Sequence, residues 1–194
     1  MKIIGITGGI ASGKSTVSLY LEDKYGAYIF DADKEAKALL QSSLVKDKIL
    51  KAFSSLKDFS ASSIAQEVFK NAESQAKINN IIHPMISDLI LERINEKKDL
   101  HNIFVVDAAL IVESGIFQQY QKSGAKLILI IADEELRLKR ALHRADLDQA
   151  TIKDRMRLQM KDDEKIKYSD YVIENNASEF ELFSKIDQII ERII

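Results

Sequence analysis

The aliphatic run Ile3-Ile4-Gly5-Ile6 passes without a break into Gly8-Gly9-Ile10-Ala11-Ser12-Gly13-Lys14-Ser15. This junction restricts what the chain can fold into more than any other stretch. Residues 2–7 are apolar on both faces, as a strand inside a parallel sheet is. Ser15 to Lys24 then follows helical spacing, with Val17 and Leu21 on one face. Strand, glycine turn and helix in immediate succession supply the context in which G-x-x-x-x-G-K-[ST] is a phosphate-binding loop (P-loop). Glycines let several N–H groups crowd one anion, and the helix start adds its own free N–H groups and positive dipole end. Lys14 is expected to bridge the β- and γ-phosphates of ATP, and the Ser15 hydroxyl to ligate Mg²⁺.

Four further runs read as strands: Ala27–Phe30, Ile103–Asp107, Lys126–Ala132 and Tyr171–Ile173. Together with the first they predict an α/β chain built on an open, doubly wound parallel sheet. From Lys34 to about Lys98 the period changes to 3.6. Leu39, Leu40, Leu44, Ile49 and Phe53 fit two amphipathic helices, and Ile64, Val68 and Phe69 fit another. Ile78, Ile81 and Ile82 fit one more. Ile86, Leu89, Ile90 and Ile94 fit a last one, with Pro84, the chain's single proline, in its first turn, where the missing N–H costs nothing. This helical insertion is a candidate substrate subdomain. Glu134 to about Lys167 is charged and helical, and Ser178 three residues before Glu181 forms a capping box for a final helix through Ile194.

A P-loop alone fits a switch, a motor or a kinase. Asp31 and Asp33 follow the second strand and so lie at the carboxyl edge of the sheet, where ligands of such sheets bind. Asp31 reads as a helix N-cap and Asp33 as a base for an attacking hydroxyl. Asp107 closes a strand as the metal-side carboxylate of P-loop proteins does, or simply caps a loop. Arg137, Arg140 and Arg144 share a helical face, either neutralising phosphate charge or pairing with Glu134, Glu135 or Asp146. His83-Pro84 is either a turn element or part of a substrate pocket. A guanine-reading motif is missing after the strand ending at Ala132, where Asp133-Glu134-Glu135 stands instead. A nucleotide acceptor would want several arginines in the helical insertion, which has only Arg93. With 28 basic against 30 acidic residues there is no basic excess for a nucleic-acid partner. The absence of cysteine excludes thiol chemistry and cysteine-zinc sites. No apolar stretch is long enough for a membrane span, and a cytoplasmic protein is expected.

Six motifs in order, read together, resemble the dephospho-coenzyme A kinase family. They are Ile4–Val17, Asp31-Ala32-Asp33, His83-Pro84-x-Ile86, Asp107-x-x-Leu110-x-x-Glu113-Ser114-Gly115, Arg140-x-x-x-Arg144 with Arg155-x-x-x-Gln159, and Asp170–Ile173 with Asn175. The resemblance implies the three-layer P-loop NTPase fold with a nucleotide core (1–33, 99–133 and 168–194), a helical CoA-binding part (34–98) and a lid (134–167). It implies ATP-dependent phosphorylation of the ribose 3′-hydroxyl of dephospho-CoA, the last step of CoA biosynthesis. Asp33, Lys14 and Arg140 are the implied catalytic residues. Gly9, Ala11, Ser12, Gly13, Lys14, Ser15, Thr16, Arg144 and Asn175 are the implied nucleotide contacts, with Asn175 at the adenine. Ser15 and Asp107 are implied at Mg²⁺. The chain departs from the family pattern at Ala109, where proline is usual, at Ala11, where glycine is common, at Ala61-Ser62, where an arginine is usual, and at Lys37, where arginine is frequent.

Overall fold

Each of the five aliphatic runs forms a strand: β1 (Lys2–Thr7), β2 (Tyr28–Asp31), β3 (Ile103–Asp107), β4 (Lys126–Ile131) and β5 (Tyr171–Glu174). The structure, a computed structural model, describes residues 1–53, 56, 59, 60, 63, 64, 67, 71–144 and 148–194, with nothing described of the Ala72 and Arg144 side chains. Val68, Phe69, Ala61, Ser62 and Asp146 lie outside the described residues. The strands are all parallel, in the order β2-β3-β1-β4-β5.

Strict alternation within apolar strands divides the core in two. Phe104 and Val106 of β3 and Leu127 of β4 face one side, while Ile103, Val105, Ile128 and Ile130 face the other. Both faces are covered, so the strands carry no polar alternation. On the second face lie α1 (Lys14–Tyr25) and the last helix, α9 (Glu179–Ile193), through Val17, Leu21, Leu182, Ile186 and Ile190. Ser178 caps α9 by accepting from the Glu181 N–H at 3.3 Å. The first face is covered by the helical insertion and by α5 (Gln118–Lys122).

The insertion contains α2 (Ala32–Leu39), α3 (Ser43–Ala52) and α4 (Ala72–Lys97). Pro84 does not start a helix. It lies inside α4, which runs unbroken for 26 residues. Its missing N–H leaves the Asn80 carbonyl without its helical donor, at a cost of about 3 kcal/mol. Ile78, Ile82, Ile86 and Ile90 fall on one stripe across the proline and all are buried. At about 1.5–3 kcal/mol for each side chain, keeping that stripe in one continuous helix outweighs the broken bond. The charged stretch after β4 forms α6 (Glu134–Arg144), α7 (Gln149–Arg157) and α8 (Asp162–Ile166). Among the described residues no helix is long and apolar enough to cross a membrane.

Candidate active site

The carboxyl ends of parallel strands share one edge of the sheet, and the site is built there. Gly8 (φ 151°) and Gly13 (φ 110°) hold conformations that side chains avoid. A Cβ on Gly8 would strike the Ile130 carbonyl, and one on Gly13 the Asn175 amide. Ala11 adopts a left-handed φ of 57°, which explains why a glycine suits that position. Gly13 is the N-cap of α1 and no side chain caps that helix, so its first N–H groups are left for an anion. Two braces hold the loop. The buried Asn175 donates from Nδ2 to the Ser12 carbonyl at 2.8 Å. Gln159 accepts the Ile10 N–H at 2.9 Å. The Ser12 hydroxyl is buried without a partner, Ser15 is exposed, and Thr16 is half-buried.

Lys14 is half-buried and feels both Asp107 and Asp33. Crowding by protein lowers its pKa, and the two carboxylates oppose that shift. Asp33, in the first turn of α2, reaches water yet sits in a concave wall. The surrounding protein therefore still raises its pKa, with Lys14 pulling the other way. Asp31 caps α2, accepting the Lys34 N–H at 2.8 Å. Asp107 is buried and accepts from the Ser18 hydroxyl at 2.7 Å. Burial raises its pKa, and Lys14 and Ser18 lower it.

A cavity of about 590 Å³ opens beside Asp33. Ile78, Ile82, Ile86 and Ile90 of α4 line it, together with His83, Lys37 and Arg155. His83 is thus a pocket residue within a helix, not a turn element, and burial lowers its pKa against the pull of Glu113. A second cavity, of about 450 Å³, lies between the P-loop and helices α6 to α8, with Gly9, Arg137, Lys153 and Gln159 in its walls.

The loop after β3 is fastened by Lys165, which is completely buried. Its ammonium donates to the Ala109 carbonyl at 2.9 Å and pairs with Glu113 at 2.9 Å. Glu113 also accepts the Met160 N–H at 3.1 Å. The Ala109 N–H, which a proline there would lack, is directed at the Asp33 carboxylate and favours its charged form.

The structure therefore gathers the P-loop, Lys14, Asp33, Asp107 and Asn175. Arg140 is half-buried on α6, with Nη1 buried and without a hydrogen-bond partner. The Arg144 side chain lies outside the described residues. The guanidinium of Arg137, one turn before Arg140, is the one that rests on Gly9. Lys165 and Gln159 are the site-building residues that motif reading assigned no task. Only the spacing of Gln159 from Arg155 pointed to it.

A dephospho-CoA kinase family model matches residues 2–181. The dephospho-CoA kinase of Fusobacterium nucleatum is 36% identical over 196 residues, covering 98% of each chain. A solved dephospho-CoA kinase from Campylobacter jejuni superposes with a TM-score of 0.66 at 31% identity, over 100% of this chain and 98% of that one. Shikimate kinase from Acinetobacter baumannii, at 16% identity and a TM-score of 0.60 over 99% of this chain and 94% of its own, shares the fold.

Proposed function

The chain belongs to the dephospho-CoA kinase family, and we propose that it transfers the γ-phosphoryl group of ATP to the ribose 3′-hydroxyl of dephospho-CoA. The observation that carries this reading is the placement of Asp33. It faces an apolar cavity on one side and feels the P-loop lysine on the other. The acceptor enters the α4 cavity with its 3′-hydroxyl toward Asp33. Asp33 takes the hydroxyl proton as the 3′-oxygen bonds to the γ-phosphorus. The bond to the β,γ-bridging oxygen breaks, and ADP leaves. Lys14 and the free N–H groups of α1 hold the phosphates. Arg140 neutralises charge on the transferred group once the lid is engaged, with Arg144 beside it on the nucleotide. Asn175 serves the nucleotide through the loop it braces.

Ser15, next to Lys14 in the chain, and Asp107 and Asp33, whose charges act on it, offer oxygen donors. Among the described residues no group of three or more His, Cys, Asp or Glu side chains forms a metal cage. That set fits Mg²⁺, which keeps phosphate oxygens and waters as most of its ligands. Ser15 would hold it directly and Asp107 from behind. Bound there, it would neutralise the β- and γ-phosphate oxygens.

The test is ADP release from ATP and Mg²⁺ with and without dephospho-CoA. ADP formation dependent on dephospho-CoA is expected. Equal turnover with nucleoside monophosphates, or acceptor-independent hydrolysis, refutes the assignment.

A further inference from the structure

Arg137, like Gln159, is a lid side chain in contact with the P-loop, and its contact exists because residue 9 is glycine. A Cβ at Gly9 would meet the guanidinium carbon and both of its terminal nitrogens. The side chain is only 11% exposed. Its Nη1 donates to Asp162, the first residue of α8, at 3.1 Å. Its Nε is buried with no partner. A planar guanidinium held by a single carboxylate contact, with another donor unsatisfied, can exchange that partner for an anion of higher charge. The neighbouring cavity is lined by Lys153, Arg157 and Lys161 besides Arg137, against the carboxylates Glu134 and Asp162, and the Arg137 charge is close enough to act on Lys14.

We propose that Arg137 is an additional phosphate-binding residue for the nucleotide, and that Asp162 is its internal competitor, occupying the guanidinium until a phosphate oxygen takes it over. The proposal rests on the reading of the P-loop as the ATP site. The carboxylate keeps Arg137 folded over Gly9 when no anion is bound, so the lid is pre-positioned. The same contact lowers nucleotide affinity, since ATP must displace it. A purely structural ion pair would have the opposite consequence, because loss of either partner would loosen the lid and weaken binding.

The experiment is calorimetric titration of ATP and AMP into the full chain and into Arg137→Ala, Asp162→Asn and the double variant, each first checked by thermal melting. Asp162→Ser replaces Asp162→Asn if the latter melts early. Arg137→Ala is expected to weaken ATP about tenfold, the size of one charge-assisted hydrogen bond, and to leave AMP unchanged. Asp162→Asn should tighten ATP about two- to fivefold, as expected for release of a partly exposed pair. The double variant should match Arg137→Ala. Unchanged or weaker ATP binding in Asp162→Asn overturns the proposal, as does unchanged ATP binding in Arg137→Ala. So does tightening that survives in the double variant. Failure of the unaltered chain to bind ATP would instead refute the P-loop reading itself.

Discussion

Replacing Asn175 separates two ways in which a residue at the end of β5 can serve a nucleotide. Its Nδ2 donates to the Ser12 carbonyl at 2.8 Å, and both residues are buried. In Asn175→Ala that buried carbonyl loses its donor, at a cost of about 1–3 kcal/mol. A chain of this size melts about 2–4 °C lower per kcal/mol, so a central value of about 2 kcal/mol predicts a fall of roughly 4–8 °C. Asn175→Asp keeps the volume but turns an acceptor toward the carbonyl and buries a charge, so it should melt lower still. Binding adds a sharper readout. If Asn175 works by bracing the loop, inorganic tripolyphosphate, which has no base, should lose affinity by the same factor as ATP. The reasoning fails if Asn175→Ala melts within a degree of the unaltered chain, or if Asn175→Asp is the more stable of the two. It also fails if ATP loses affinity while tripolyphosphate does not, because that pattern belongs to a direct adenine contact.

Asp33→Asn should keep ATP binding, measured by titration, while turnover falls about 10²–10⁴-fold. Asp33 must be ionised to take a proton and its pKa is raised. The acid limb of kcat/KM for the acceptor should therefore lie above the ordinary carboxylate range, with activity lost as pH falls through it. The stability effect has the opposite sign. The folded chain disfavours the ionised carboxyl, so this group's contribution is greatest at low pH and declines as pH rises toward its raised pKa. Denaturant melts of Asp33→Asn against the unaltered chain should show that difference shrink at low pH. Ile86→Ala, at a position only 4% exposed, should cost about 2–5 kcal/mol in such melts and raise KM for the acceptor more than for ATP.

The parts legible in the sequence are those whose cause is local. A strand buried on both faces must be apolar throughout, so all five strands stand out in the sequence. The P-loop is a single contiguous pattern, and the caps at Asp31 and Ser178 act three residues away. Pro84 misled because a local rule for helix starts lost to the stripe from Ile78 to Ile90, a tertiary cause. Lys165 went unseen, and Gln159 stood in a motif without a task, for a related reason. Their partners are 56 and 149 residues distant, and a lysine or glutamine in a charged helical stretch looks like any solvated neighbour. Arg137 was among the arginines singled out, but only the fold shows that α6 lays it, rather than Arg140, on the P-loop.

The stripe of α4 has a consequence for how this chain can change over time. Ile78, Ile82, Ile86 and Ile90 belong to the hydrophobic core and also form the cavity wall. In most enzymes a pocket can be reshaped by exchanging loop residues while the core stays as it was. Here a substitution that widens the pocket also removes packing from the helical part, and one that tightens the core narrows the pocket. With the acceptor seated in this cavity as proposed, acceptor choice and thermal tolerance are written in the same side chains. A change of acceptor along this wall would need compensating mutations elsewhere in the fold before it could persist.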